Sequence, residues 1–216
     1  RMHAPTHQPP PPLHQEPRAD YLQKVTGTAT FASDVEVPGM LHGKILRSTV
    51  PHARIRSIDA SAALAMPGVV AVLTGADLKN LPGTHSRWGL SLRDRPVIAD
   101  GKVRYVGDPV AAVAAVDEGT AEEALDAIVV DYEPLPYVTT AEEALAEGAP
   151  LVHEDMDKLK DYYFRGECAP VQGTNQFQQW DYATGDVEAA FAGDVRVFED
   201  TFTFPMVFHY AMEPHV

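Results

Sequence analysis

The chain has 216 residues, 45% hydrophobic and 22% charged, a balance suited to one or two buried cores and unlike that of a disordered or fibrous polymer. Its 31 Asp and Glu against 17 Lys and Arg give a formal charge of -14, which excludes a sequence-independent grip on nucleic-acid phosphates or anionic lipid. No window reaches the roughly 18 uninterrupted apolar residues of a membrane helix and no apolar signal core opens the sequence, so a soluble, cytoplasmic protein is expected.

Residues 1–17, RMHAPTHQPPPPLHQEP, are rich in proline and poor in large apolar side chains, and are expected to form an extended arm. His3, His7 and His14 within it are too irregularly spaced to read as a metal-catching tract. From about Asp20 the pattern becomes globular. Strands are expected at 40–47 and 53–58, with Asp59 as the N-cap of a short helix at 60–66 that Pro67-Gly68 ends. The apolar run 69–74 is short enough for a buried strand. After a connection punctuated by Gly and Pro at 81–96, PVAAVAAV at 109–116 is a second apolar strand. A helix at 120–127 and a β-branched strand at 128–132 follow, so the pattern predicts a β-α-β crossover. Gly107-Asp108-Pro109 reads as the turn that sets strand entry, with a ligand-facing turn as the alternative.

The hexapeptide TAEEAL occurs at 120–125 and again at 140–145, each time pairing a Thr with a Glu three residues on as a capping box. Two independent helix starts explain this better than a duplicated repeat, because nothing outside the hexapeptide matches. Glu122-Glu123 and Glu142-Glu143 belong to solvated first turns, since adjacent helical residues diverge by ~100°. Residues 146–180 read as a linker or surface excursion, 185–193 as a short helix, and 195–204 and 207–212 as strands. The sequence ends in apolar material, and the expectation is that this chain completes its fold against another polypeptide.

The single cysteine, Cys168, excludes an internal disulfide framework, a Cys-rich zinc site and an iron-sulfur cluster held by this chain alone. No GxGxxG after a strand, GxxxxGK[ST], GxSxG or HExxH occurs. The richest polar cluster is His209-Tyr-Ala-Met-Glu213-Pro-His215. In a strand these three side chains share a face, but at ~3.3 Å per residue His209 and His215 lie roughly 20 Å apart, too far for one metal ion. They are read as an interface or site-proximal group. His52 with Arg47, Arg54 and Arg56 could form an anion site, though surface pairing with carboxylates is favoured.

Set in order, KVTGTATFASDVEVPGMLHGKILRSTVPHARIRSIDASAALAMPGVVAVLTGADL, RPVIADGKVRYVGDPVAAVAAVDEGTAEEALDAIVVDYEPLPYV, EEALAEGAPLVHED, GDVEAAFAGDVRVFEDTFTF and HYAMEPH resemble the N-terminal part of the molybdenum-binding large subunit of the xanthine dehydrogenase and aldehyde oxidase family. The resemblance implies an α+β fold. Its parts would be a proline-rich arm at 1–17, an α/β hammerhead domain with β-α-β units at 18–135, a linker and irregular excursion at 136–174, and the start of a molybdopterin-binding domain at 175–216. It also implies molybdopterin-molybdenum chemistry that hydroxylates an aldehyde, an aromatic heterocycle or a related aromatic substrate with oxygen from water. Iron-sulfur clusters and FAD would reside in partner subunits or domains. No residue here matches the family's cofactor-contacting or catalytic motifs, so the expected catalytic, cofactor-binding and metal-ligand sets of this chain are empty. The expected partners are the remainder of the molybdenum-binding subunit and the iron-sulfur and flavin subunits. A stand-alone hammerhead-fold binding or assembly module without redox activity is the alternative, and a small metalloprotein centred on His209, Glu213 and His215 a third reading.

Overall fold

The computed structural model describes residues 18–31, 34–81, 86–89, 93–156, 170–178, 182–205 and 207. Contacts divide the chain into two units, Gly39–Glu199 and a second made of Arg1–Pro38 with Asp200–Val216. In the second unit a short helix α1 (Tyr21–Thr26) carries an ion pair of 2.6 Å between Lys24 and Asp20. Gly27, at φ 71°, closes it by taking the left-handed conformation open to glycine.

The larger unit is built on two three-stranded sheets. Strands β1 (His42–Arg47), β2 (Ala53–Asp59) and β3 (Val69–Thr74) come first, with helices α2 (Ser61–Leu64) before β3 and α3 (Gly75–Asn80) after it. The hairpin pieces β4 (Arg87–Trp88) and β5 (Arg95–Pro96) follow, then β6 (Lys102–Val103), β7 (Pro109–Ala115), α4 (Glu118–Asp126), β8 (Val129–Pro134), α5 (Ala141–Leu145) and α6 (Val187–Phe191). The first sheet has the order β1-β7-β3 and the second β6-β2-β8.

The strand-helix-strand order read from the sequence is present, but the predicted parallel crossover is not. Every ladder among the described residues is antiparallel, and α4 carries the chain from β7 in the first sheet to β8 in the second. Likewise α2 links β2 of the second sheet to β3 of the first. A β-α-β sequence specifies a crossover only when both strands enter one sheet, and strand pairing is not visible in local periodicity.

The apolar β7 is the central strand of its sheet. Ala111, Val113 and Ala115 on one face are buried, and the first two pack with Ala63, Ala124 and Ile128. Val110 joins a second cluster with Ala53, Ala99 and Val103. The other face is different. There Ala112 is flanked by Ile45 and Leu73, and Ala114 by Gly43 and Ala71, and Ile45 and Leu73 are exposed. The expectation of a buried strand at 69–74 is therefore corrected: β3 has the bounds read from sequence but is an edge strand, with Val70 and Leu73 exposed.

Helix starts show which polar side chains satisfy the free backbone N–H groups. The Thr140 hydroxyl accepts from the Glu143 N–H at 3.2 Å while the Glu143 carboxylate accepts from the Thr140 N–H, the capping box read from the second TAEEAL. The first copy behaves differently. Asp117 caps α4 by accepting from the Thr120 N–H at 2.8 Å and its hydroxyl at 2.7 Å, so the helix begins before the hexapeptide. Asp59 accepts from the Ser61 N–H at 2.9 Å, although Ala60 occupies the cap position of α2.

Residues 146–155 and 170–178 form no helix or strand, as read, yet they are more than a surface excursion. The Asn175 amide donates to the carbonyls of Ala144 and Pro150 and accepts from the Val152 N–H, replacing a ladder with one side chain, and Met156 is buried. The strand expected at 195–204 is absent: those residues make no ladder and are exposed, since an alternating pattern forms a strand only beside a partner edge. The 207–212 strand, apart from Val207, and the 1–17 arm lie outside the described residues. No helix among the described residues is long and apolar enough to cross a membrane.

Candidate functional site

Residues far apart in sequence meet where the β4–β5 hairpin faces residues 152–156 and 170–177. Arg87 pairs with Pro96 and Trp88 with Arg95, and this register places the Arg95 guanidinium 5.5 Å from the Trp88 ring centroid. Between hairpin and segment lies a cleft of about 640 Å³, bordered by Trp88, Asp94, Arg95, His153, Met156 and Phe177. A smaller chamber of about 170 Å³ shares Asp94, Arg95 and His153 with it and adds Arg104, Tyr105 and Asp108. A third cavity of about 140 Å³, lined by His52, Arg104 and Tyr137 among others, shares Arg104 and Tyr105 with the second.

His153 and Asp94 lie 3.2 Å apart, Nε2 to Oδ2, with the histidine side chain only 10% exposed. Burial works to raise the Asp94 carboxyl, but the hydrogen bond and charge of His153 outweigh it and hold Asp94 below the usual carboxylate range. The ionised carboxylate only accepts, so Nε2 carries the hydrogen toward it. The opposite histidine nitrogen, Nδ1, is buried and has no partner among the described residues.

Arg104 has a similar orphan. One guanidinium nitrogen donates to the Lys102 carbonyl at 3.3 Å, while Nε is buried without a partner among the described residues. Burial, and next the charge of Arg87, draw the Arg104 guanidinium below its usual range. Asp108 accepts from the Arg104 N–H at 3.0 Å, and burial pushes its carboxyl up against that bond. Tyr105 is likewise raised by burial and by the Asp108 charge.

Lys102 fixes the segment to the second sheet. Its ammonium donates to the Val152 carbonyl at 2.9 Å and to Glu154 at 2.7 Å. Burial draws the ammonium below the usual lysine range, with Glu154 working the other way.

The residues singled out in the sequence distribute as follows. His209, Glu213 and His215 lie outside the described residues, as does Cys168. The arginine series does not converge on an anion site: Arg47 donates to the Gly107 carbonyl at 3.0 Å, and Arg56 pairs with Glu133 at 3.4 Å. His52 is buried, with Nδ1 2.6 Å from the Pro136 carbonyl and Nε2 without a partner among the described residues. The Gly107-Asp108-Pro109 turn sets the entry to β7, with Gly107 at φ 96°, and its Asp108 also lines the small chamber. Asp94, Arg104 and His153 were not singled out. His153 lies only two residues beyond Leu151 in an irregular stretch, and no periodic signal marks it.

Among the described residues no group of three or more His, Cys, Asp or Glu is placed to hold a metal ion. The described side chains thus make a cleft with acid-base and guanidinium groups, and no ligand set into which a molybdenum centre fits.

Two antiparallel sheets bridged by helices that pass from one to the other, with a polar cleft at their flank, define an α+β domain of the hammerhead kind. The family model for "Aldehyde oxidase and xanthine dehydrogenase, a/b hammerhead domain" matches residues 26–136, and the chain belongs to this family. Over 197 residues it is 42% identical to the nicotinate dehydrogenase large molybdopterin subunit of Eubacterium barkeri, covering 91% of this chain and 41% of that protein. It is 39% identical over 196 residues to a probable xanthine dehydrogenase subunit of Bacillus subtilis, covering 91% of this chain and 23% of that protein. Among solved structures, reconstituted CO dehydrogenase from Oligotropha carboxidovorans superposes with a TM-score of 0.62 at 40% identity, covering 68% of this chain and 19% of that one. The chain therefore spans between about a fifth and two fifths of the length of these relatives.

Proposed function

We propose that this chain is the hammerhead-bearing part of the large subunit of a molybdenum hydroxylase. The complete enzyme oxidises an aldehyde, an aromatic heterocycle or a related aromatic substrate with oxygen from water. In this reading 18–135 form the hammerhead domain, 136–174 a connection and 175–216 the start of a molybdopterin-binding domain, after the 1–17 arm. The chain's role is structural. It covers the cofactor-binding part of the subunit and shapes the substrate's approach, and His209, Glu213 and His215 lie at that boundary.

The observation that carries this reading is the half-exposed apolar face of the first sheet. An antiparallel sheet can leave one face to water when that face is polar. Here it presents Ile45, Ala112, Leu73 and Ala114, with no charged side chain between them, while the opposite face already has its core. At roughly 25 cal/mol per Å² of apolar surface, covering such a face contributes several kcal/mol to an assembly. Molybdopterin-molybdenum would be held by the rest of the large subunit, and iron-sulfur clusters and FAD by partner subunits or domains. The group would supply oxygen transfer and electron uptake there.

The test is to purify the complex that contains this chain and measure molybdenum, iron and flavin per 216-residue chain. Near-stoichiometric molybdenum is expected, and the double variant Ile45→Lys, Leu73→Lys should lose the cofactor-bearing material while the chain keeps its far-ultraviolet circular dichroism. A partner-free, metal-free chain, or a double variant that retains full molybdenum, would overturn the reading.

A further inference from the structure

We propose that residues 151–154 are a strap that opens as a local unit, with Lys102 as its catch, and that in its closed position it is the wall shared by the cleft and its two neighbouring cavities. Opening joins the cleft to the smallest cavity. This goes beyond the molybdenum reading and does not rest on it.

Among the described residues Val152 alone borders all three spaces, of about 640, 170 and 140 Å³, and it is the one residue common to the largest and the smallest. When it moves, the boundary between them moves with it. A residue in such a place is ordinarily fixed by a ladder, but residues 151–154 form neither helix nor strand. The Val152 N–H donates to the Asn175 side-chain oxygen at 2.9 Å, and the Val152 carbonyl accepts from the Lys102 ammonium at 2.9 Å. Both of its backbone groups are therefore satisfied by side chains from distant parts of the chain.

The strap has a fixed root and a single catch. The Asn175 amide donates to the carbonyls of Ala144 and Pro150, and these two bonds hold the chain ahead of residue 151 whether the strap is closed or lifted. The catch is Lys102, whose one ammonium bonds both the Val152 carbonyl and the Glu154 carboxylate. Release of that side chain frees the strap at two points, whereas a ladder would lose one bond among several. Lys102 stays behind with the second sheet, because β6 is paired with β2. Glu154 is more than half exposed, so water replaces the ammonium as the carboxylate leaves. The contact of His153 with Asp94 is the other side-chain tie of the strap among the described residues. A segment held by so few side-chain contacts opens at a lower free energy than the sheets behind it.

The experiment is amide hydrogen exchange of the isotope-labelled 216-residue chain, followed by NMR at urea concentrations below the unfolding transition. The Val152 N–H reports on the strap. The Ala99 N–H, in a buried residue and bonded to the Pro109 carbonyl at 2.7 Å, reports on global unfolding. Val152 should exchange at a rate independent of urea, because local opening exposes little surface, while the Ala99 rate should climb with urea. Lys102→Met should raise the Val152 rate about tenfold, the effect of one lost charge-assisted hydrogen bond. Val113→Ala, which leaves a void in the core against the first sheet, should raise the Ala99 rate about tenfold and leave the Val152 rate unchanged. That variant and the urea series on the unaltered chain keep the test open if the lysine variant misfolds. A Val152 rate that climbs with urea in step with Ala99, that follows Ala99 in Val113→Ala, or that is unmoved in Lys102→Met would each overturn the proposal.

Discussion

A methyl group added at Gly75 would overlap the carbonyl oxygen of Ala99 and sit 3.0 Å from that of Ile98, so the first turn of α3 packs directly against the backbone that leads to β6. Neither contact is with a flexible side chain that could swing aside. Overpacking of this kind costs about 1–3 kcal/mol or more. Gly75→Ala should lower the unfolding free energy by at least that much in urea denaturation. Gly101→Ala meets no neighbouring atom and strains only a backbone at φ 74°, so it should cost roughly 1–2 kcal/mol.

The Lys102–Glu154 pair is asymmetric, and the asymmetry sets the order of two substitutions. The lysine side chain is 8% exposed and the glutamate 54%. Lys102→Met keeps an apolar stem in place, lets Glu154 turn to water and orphans only the Val152 carbonyl, for an expected loss of about 1–2 kcal/mol. Glu154→Gln leaves a buried ammonium without its counter-charge and should cost at least as much, tempered by the water that reaches position 154. Equal stability of Glu154→Gln and wild type in thermal unfolding would show that the pair contributes nothing.

The two TAEEAL segments give a paired prediction. Thr140→Ala removes the hydroxyl that caps α5 and should cost about 1 kcal/mol. Thr120→Ala leaves the residue 120 N–H bonded to Asp117 and should cost less, whereas Asp117→Ala should cost about as much as Thr140→Ala. Chemical denaturation of the three variants decides it, and a loss at Thr120 equal to that at Thr140 would contradict the assignment of Asp117 as the cap.

That same pair shows what was legible in the sequence. One hexapeptide caps a helix and its identical twin does not, because Asp117, three residues upstream of Thr120, accepts from the Thr120 N–H and so places Thr120 inside the first turn, while residue 137, three before Thr140, is a tyrosine. Strands β3 and β7 were readable because each is a continuous apolar run between turn residues. Their partners were not, since antiparallel pairing of β1, β7 and β3 joins residues up to about seventy positions apart. Pieces as short as β4, β5 and β6 carry no periodicity at all. The cleft was illegible for the same reason: Asp94, Arg104 and His153 are brought together by the hairpin and by the hydrogen bonds of Asn175, and each taken alone reads as an ordinary surface charge.

Two carboxylates on one chamber should respond to pH in opposite senses. Asp94 titrates below its unfolded value, so the folded state binds fewer protons there; its stabilising contribution is fully present above about pH 4 and is lost as the pH falls through the folded value. Asp108 titrates above its unfolded value, so the folded state holds its proton longer; its contribution is present below about pH 4 and is lost as the pH rises through the raised folded value. Unfolding free energies measured from pH 3 to 8 for wild type, Asp94→Asn and Asp108→Asn separate the two. Relative to wild type, Asp94→Asn should be less stable near neutrality by about 1–3 kcal/mol, with the gap closing in acid. Asp108→Asn retains an acceptor for the Arg104 N–H, so its stability relative to wild type should improve as the pH rises from 4. Parallel curves for wild type and Asp108→Asn across that range would show that the buried carboxyl is as easily ionised as an exposed one, and that burial at this chamber does not oppose negative charge.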